Sequence, residues 1–445
     1  MRNLNYYRDI IRLGLPILVG QLGMIVTGFA DNIMVGRYST EALASASFVN
    51  GVFNVVIFCC LGFTYGLTPL VGALYGRGEH RRIGTLLRNG LFLNVLYSAV
   101  VTVALAGMYF GLHLMGQPGE LLPLIRPYYL TALAGVLPLC VFNVFAQWLY
   151  GTNDTRTPMW IILGGNVLNI IGNYLLIFGH CGAPEMGLLG AGISTLAART
   201  LTAAAIAAVF CFSSKAVEVR AGFIQSRIDR RSLGRIWRTS LPVSMQMTFE
   251  SGSFSVAAIM SGWLGAIPLA AYQIVVITGT LGFCVYYSVG AAISVVVSNV
   301  CGCGDAVQMR RAAWHGYHIM LVLMTVSSLI FTFAGRDILG VFTDDAAVLA
   351  AASALIFPLV LYQLGDATQI AFANALRGTS HVMPMLWIAF VSYIVVGIPA
   401  TWLLAFPVGL GLYGIILSFS ASLFMAGALF LIYFLRATKN HELHS

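Results

Sequence analysis

The sequence predicts an all-α membrane protein whose twelve transmembrane helices form two parallel six-helix repeats. Three observations predict it. The 445-residue chain is 59% hydrophobic and only 9% charged, against roughly 25% charged in an ordinary soluble domain. A span needs about 20 mostly apolar residues, and twelve such runs occur, centred near residues 23, 60, 98, 139, 169, 199, 249, 285, 322, 362, 394 and 423. Segments of the first half also recur in the second at a near-constant offset of 226 residues. A lipid-facing sheet with open edges is excluded, because its backbone groups would go unpaired in hydrocarbon.

Taken in order, the first run continues well beyond the apolar stretch of a signal peptide and reads as a retained span. Pro16 lies within it and is expected to kink that helix. At the 226-residue offset Leu15-Pro16 falls on Leu241-Pro242, Ile33-Met34 on Ile259-Met260 and Gly36 on Gly262. Gly76-Arg77-Gly78-Glu79 meets Gly302-Cys303-Gly304-Asp305, "FAQWLYGT" (145–152) resembles "FANALRGT" (372–379), and "GLLGAGIS" (187–194) resembles "GLYGIILS" (411–418). Six spans per repeat return the chain to its starting side, so the repeats are parallel, related by an axis along the membrane normal. Residues 1–214 form an N-terminal lobe, 215–238 a linker and 239–445 a C-terminal lobe. The basic join "KAVEVRAGFIQSRIDRRSLGRIWRTS" (215–240) reads either as an interfacial helix or as a solvated linker.

The formal charge of +8 follows topology rather than nucleic-acid binding. With the N-terminus inside, Arg2 and nineteen other basic residues fall in cytoplasmic segments. Only Arg37, Arg126 and Arg336 fall outside, and Arg199 lies within a span. This bias places both termini in the cytoplasm of a cell carrying the chain in its inner membrane. The eight cysteines are scattered, and only Cys181 falls in an outer loop, so no disulfide framework is expected. "CGCGD" (301–305) and "HGYH" (315–318) lack a complementary ligand cluster and read as a small-residue turn and a helix start.

Of the sixteen acidic residues, only Asp31, Glu250 and Asp366 lie within spans. Carboxylates there are rare and functional by default. At 1.5 Å per residue, Glu250 is roughly 18 Å from Arg238 and Asp366 roughly 16 Å from Arg377, both basic residues being at the cytoplasmic edge. The two acids therefore sit at matching depth in one lobe. Gln246 and Ser253 share a helical face with Glu250, and Tyr362 and Gln369 share one with Asp366. With Gln273 they outline a substrate cavity. Asp31 lies nearer the outer edge. Asn166, Asn169 and Asn173 form one stripe on an apolar helix, either packing glue or a cavity wall.

At these residues the sequence resembles the multidrug and toxic compound extrusion (MATE) family, most closely its bacterial NorM-like branch, over essentially the whole chain. "PILVGQLGMIVTGFADNIMVGR" is similar to the family's first helix, "LPVSMQMTFESGSFSV" to its seventh and "YQLGDATQIAFANALRGT" to its tenth. The resemblance implies a V-shaped bundle of two lobes that exports organic cations and other xenobiotics in exchange for Na+ or H+. It implies a cation site at Glu250, Asp366 and Tyr362, and an N-lobe coupling cluster of Asp31, Asn169, Asn173 and Thr195. Some relatives have Asp where this chain has Asn173.

Elementary physics gives a compatible scheme. A buried carboxylate must be neutralised by a proton, a sodium ion or an organic cation, and competition among these for one conformation produces antiport by alternating access. Met245, Met247, Met260, Phe254 and Tyr272 would supply adaptable walls. A lipid-linked oligosaccharide flippase of the same superfamily is the alternative, although its pyrophosphate cargo calls for intramembrane Arg or Lys. No clustered nucleophile, base or metal set marks an enzyme. The expected partners are small organic cations and membrane lipids, without nucleic acid. No cofactor is expected beyond the coupling ion, and a monomer is expected.

Overall fold

A computed structural model describes residues 5–114, 118–343 and 345–444. Arg2, counted among the basic residues above, lies outside them. The described chain is helical. Helix α1 is Tyr6–Tyr38, α2 Thr40–Tyr65, α3 Leu67–Gly76, α4 His80–Phe110, α5 Leu122–Ala134, α6 Val136–Gly151, α7 Arg156–Phe178 and α8 Gly187–Phe212. A short α9, Val217–Gln225, precedes α10, Arg230–Trp263. Then come α11, Ala266–Gly302, α12, Ala306–Gly340, α13, Ala346–Ser353, α14, Ile356–Gly378, α15, Met383–Ala389, α16, Ile398–Ala405, and α17, Gly411–His444. Among the described residues ten helical segments are long and apolar enough to cross a membrane, and α13 with α14 makes an eleventh. The twelfth predicted span is α10. It is long enough at 34 residues, but its serines, glutamine, threonine and Glu250 make it the least apolar.

Several spans are compound where the sequence suggests single helices. The α13–α14 pair bends by 48°. Pro358 has no N–H to give the carbonyl four residues back, which loosens the ladder at that joint. Between α15 and α16 the chain adopts a π-helix over Phe390–Gly397, just before Pro399, whose missing N–H likewise breaks the α-helical register. Helix α1, by contrast, runs unbroken through Pro16.

The repeat is visible in the turns. Gly78 and Gly304, matched by the 226-residue offset, both take left-handed backbone angles, φ 71° and 78°. Asn153 and Ser380, which follow the matched "GT" pairs, do the same at 64° and 62°, a conformation uncommon in residues with a Cβ.

The chain divides into two compact units, Val19–Ser244 and Met1–Leu18 with Met245–Ser445. In the first, Phe63, Leu67, Leu87, Trp148, Phe210 and Ile236 belong to one buried core. Helix α9 docks on α4 at touching backbones. A Cβ on Gly84 would fall 1.9 Å from the Val219 carbonyl, and one on Gly222 would fall 2.0 Å from that of Arg81. Arg88 donates to the carbonyls of Phe223, Ile224 and Ser226 at the end of α9. Of the two readings of the join, its first part is therefore a docked helix. Asp229 then accepts from Ser232 N at 3.1 Å at the start of α10.

In the second unit Tyr272, Phe331, Leu355 and Ile415 share a core, and α14 lies between α11 and α17. Asp305 accepts from Gln308 N at 2.9 Å, so "CGCGD" is a turn and a helix cap. Large apolar side chains such as Phe212, Trp160 and Phe333 are exposed, as lipid-facing residues would be.

Candidate functional site

In the unit containing Met245–Ser445, α10 and α14 carry the two acids. Gln246 lies one turn before Glu250 and donates Nε2 to its Oε2 at 2.9 Å. Gln369, three residues after Asp366, also reaches the Glu250 carboxyl. Asp366 is 2% exposed and lies within electrostatic range of Glu250, as does Tyr362 of both acids. The two acids, expected at matching depth, thus lie within electrostatic range of each other. One Asp366 oxygen, Oδ2, is buried without a protein hydrogen-bond partner, as are Oε1 of Gln246 and of Gln369. Buried polar atoms are usually satisfied, so this concentration of oxygens is suited to a cation.

Ser253 is buried, but its hydroxyl donates to the Glu250 backbone carbonyl at 2.7 Å and so completes its own helix rather than the carboxyl's shell. Gln273 is exposed on α11. Arg377 keeps its place at a helix end, and it is buried there. It is 6% exposed in the last turn of α14 and within electrostatic range of Glu250.

Three members escaped the sequence. Gln363 is fully buried, and neither of its amide atoms has a protein partner. Its side chain stands where a Cβ on Gly282 would fall, 2.5 Å from Oε1, and Asn374 stands over Gly290 in the same way at 2.7 Å. Glycines on α11 therefore make room for amides on α14. Tyr393, in the π-helix, has a buried hydroxyl without a partner and is in electrostatic range of Glu250 and Asp366. Tyr286 faces Asp366 and bonds to Ser327 at 2.5 Å. Gln363 was legible as an intramembrane amide at i−3 from Asp366. Tyr393 was not, because the π-helix shifts its face.

In the Val19–Ser244 unit the four predicted coupling residues form one chain of bonds. Asn173 donates Nδ2 to Asp31 and to Asn169 Oδ1 at 3.5 Å, and Asn169 donates to Thr195 Oγ1 at 3.1 Å. Ser194, not anticipated, donates to the Asn169 carbonyl at 2.8 Å. The asparagine stripe faces α1: besides the bond to Asp31, Asn166 Nδ2 lies 2.9 Å from where a Cβ on Gly23 would be. The Asn173–Asp31 bond joins α7 to α1, as the packing reading of that stripe expects.

The family model described as MatE matches residues 16–175 and 242–403. The chain is a member of the MatE family. Its matched segments include both acids of the α10–α14 cluster, Asp31 and the stripe's asparagines, Asn166, Asn169 and Asn173. A protein of Xanthomonas campestris pv. campestris named probable multidrug resistance protein NorM is 32% identical over 390 residues, 87% of this chain and 84% of its own length. One of the same name from Bradyrhizobium diazoefficiens is 29% identical over 96% of this chain and 92% of its own. Among solved structures, a eukaryotic MATE transporter, AtDTX14, superposes with a TM-score of 0.88 at 18% identity, covering 99% of both chains. A mutant of the Vibrio cholerae MATE transporter VcmN gives 0.88 at 16%, over 98% of this chain and 97% of its own. These MatE structures share the two-repeat helical fold with this chain.

Proposed function

We propose that this MatE protein is a secondary active multidrug efflux antiporter of the inner membrane, exporting organic cations in exchange for Na+ or H+ by alternating access. The observation that carries the reading is that Glu250, Asp366 and Tyr362 lie within electrostatic range of one another, with buried carboxyl and amide oxygens nearby that no protein donor satisfies. Two neighbouring acids with one basic neighbour, Arg377, leave a net negative site that a single cation neutralises. The names of the similar NorM proteins support the drug-export part of the reading.

In this reading Glu250, Asp366 and Tyr362 hold the cation, with Gln246, Gln363, Gln369 and Tyr393 around it. Asp31, Asn173, Asn169 and Thr195 form a second cluster, one linked to the proton or sodium ion. The basic asymmetry supports cytoplasmic termini and a cytoplasmic 215–238 linker. The protein works as a monomer among lipids. The test is dye efflux from everted vesicles with sodium and proton gradients imposed separately. Efflux driven by one gradient and not the other names the coupling ion, and efflux driven by neither contradicts the antiporter.

A further inference from the structure

The repeat presents the same helix crossing twice. In the Val19–Ser244 unit α6 packs on α3, and in the other unit α14 packs on α11. The matched segments 145–152 and 372–379 set Gln147 against Asn374 and Gly151 against Gly378. The 226-residue offset sets Thr68 against Ser294 and Val71 against Val297. The helices approach equally closely in both. A Cβ on Gly151 would fall 2.8 Å from that of Val71, and one on Gly378 would fall 2.8 Å from that of Val297.

What joins the helices differs. Thr68 donates Oγ1 to Gln147 Oε1 at 2.5 Å, and both residues are buried. At the matched place Ser294 Oγ and Asn374 Oδ1 are buried as well, and neither has a protein partner. Asn374 donates Nδ2 to the Ile370 carbonyl of its own helix at 2.9 Å, which leaves its oxygen over. The side chains here are also smaller. Gly290 stands where the offset puts Thr64, with three heavy atoms fewer, while Ser294 and Asn374 have one fewer each than Thr68 and Gln147. The Asn374 amide leans into part of that room, 2.7 Å from where a Cβ on Gly290 would be. Smaller side chains at an unchanged helix spacing leave room for a water, whose share of liquid volume is about 30 Å³.

Buried hydroxyl and amide oxygens are nearly always hydrogen-bonded, and an internal water needs at least two polar partners. We propose that a bound water bridges Ser294 and Asn374, accepting from the serine hydroxyl and donating to the amide oxygen, and that this bridge is an adjustable joint between α11 and α14. A direct bond holds two helices in one register, whereas a water re-forms its bonds as they shift. Helix α14 carries Tyr362 and Asp366, the latter eight residues before Asn374, so the joint lies on the helix that responds when a cation binds or leaves. This second part rests on the efflux reading. The N-terminal crossing, closed by the Thr68–Gln147 bond, lacks that freedom.

The water is tested without transport. A crystal structure of the full chain, at a resolution that shows waters, should place one within hydrogen-bond distance of both Ser294 Oγ and Asn374 Oδ1, and none between Thr68 and Gln147. A direct Ser294–Asn374 bond overturns the proposal. The joint is tested by Ser294→Thr with Asn374→Gln, which rebuilds the N-terminal pair. That protein should melt higher than wild type, bind a cationic dye with unchanged Kd and export it about fivefold more slowly, because a stiffer joint slows the conformational step and not binding. A lower melting temperature would mean that the room is not there, and full-speed efflux in the stiffened protein would overturn the joint. Should the double variant fail to fold, Asn374→Gln alone is read in the same way. Absence of efflux from wild-type vesicles contradicts the antiporter and with it the joint, while the water stands or falls on the crystal structure alone.

Discussion

Asp366 buries a carboxyl oxygen that no protein group satisfies, and the charge that acts on that carboxyl is another acid, Glu250. For an arrangement serving packing alone this would be poor, since buried unpaired acids are destabilising. It is sound if a cation comes and goes there.

Tyr393 offers a way to separate function from packing. Its buried hydroxyl lacks a partner, so Tyr393→Phe removes an unsatisfied group and should leave stability equal or higher. If the hydroxyl serves the cation, efflux falls about tenfold, the loss of one bond to a charged group worth ~1.5 kcal/mol. Efflux rate and melting temperature of the same preparation check this. Unchanged efflux would remove Tyr393 from the site.

Asp31→Asn should also slow gradient-driven efflux, by about tenfold. Its effect should multiply with that of Glu250→Gln, because the two acids belong to separate compact units and independent sites add in free energy. Rates of the two singles and the double decide it. A double mutant no slower than either single would make the two clusters one functional unit.

Gly222→Ala should loosen α9 from α4, since the added methyl would meet the Arg81 carbonyl at 2.0 Å. Overpacking of this kind costs ~1–3 kcal/mol. The melting temperature in detergent should drop by several degrees, and an unchanged melt would mean that the contact yields without cost.

The orientation is testable with cysteines. Cys181 is exposed in its loop and can be kept as the sole cysteine. Gln225→Cys in a cysteine-free background reports the linker, where the residue is exposed. The two should react from opposite faces of the membrane, and same-side labelling would overturn the topology.

Much of this was legible in the sequence because membrane insertion simplifies the reading. Every span needs an apolar run, so the helices stood out, and an acid inside one stood out further. The grouping of Asp31, Asn173, Asn169 and Thr195 followed from family pattern, and the placing of Glu250 and Asp366 in one unit from their depth. What was hidden depends on departures from the straight 3.6-residue helix. The bend before α14 and the π-helix before Pro399 shift which residues face inward, so Tyr393 was missed. The burial of Arg377 at its helix end was hidden because position along the chain does not reveal burial.

The central claim is that Glu250 and Asp366 hold one cation together. The direct measurement is gradient-driven efflux in everted vesicles, at matched expression, for wild type, Glu250→Gln, Asp366→Asn and the double mutant. Each single should lose at least about tenfold, and the double should be little slower than either, because residues that share one ligand are not additive. Wild-type rates in both single mutants would contradict the account and leave the two acids without a role in transport.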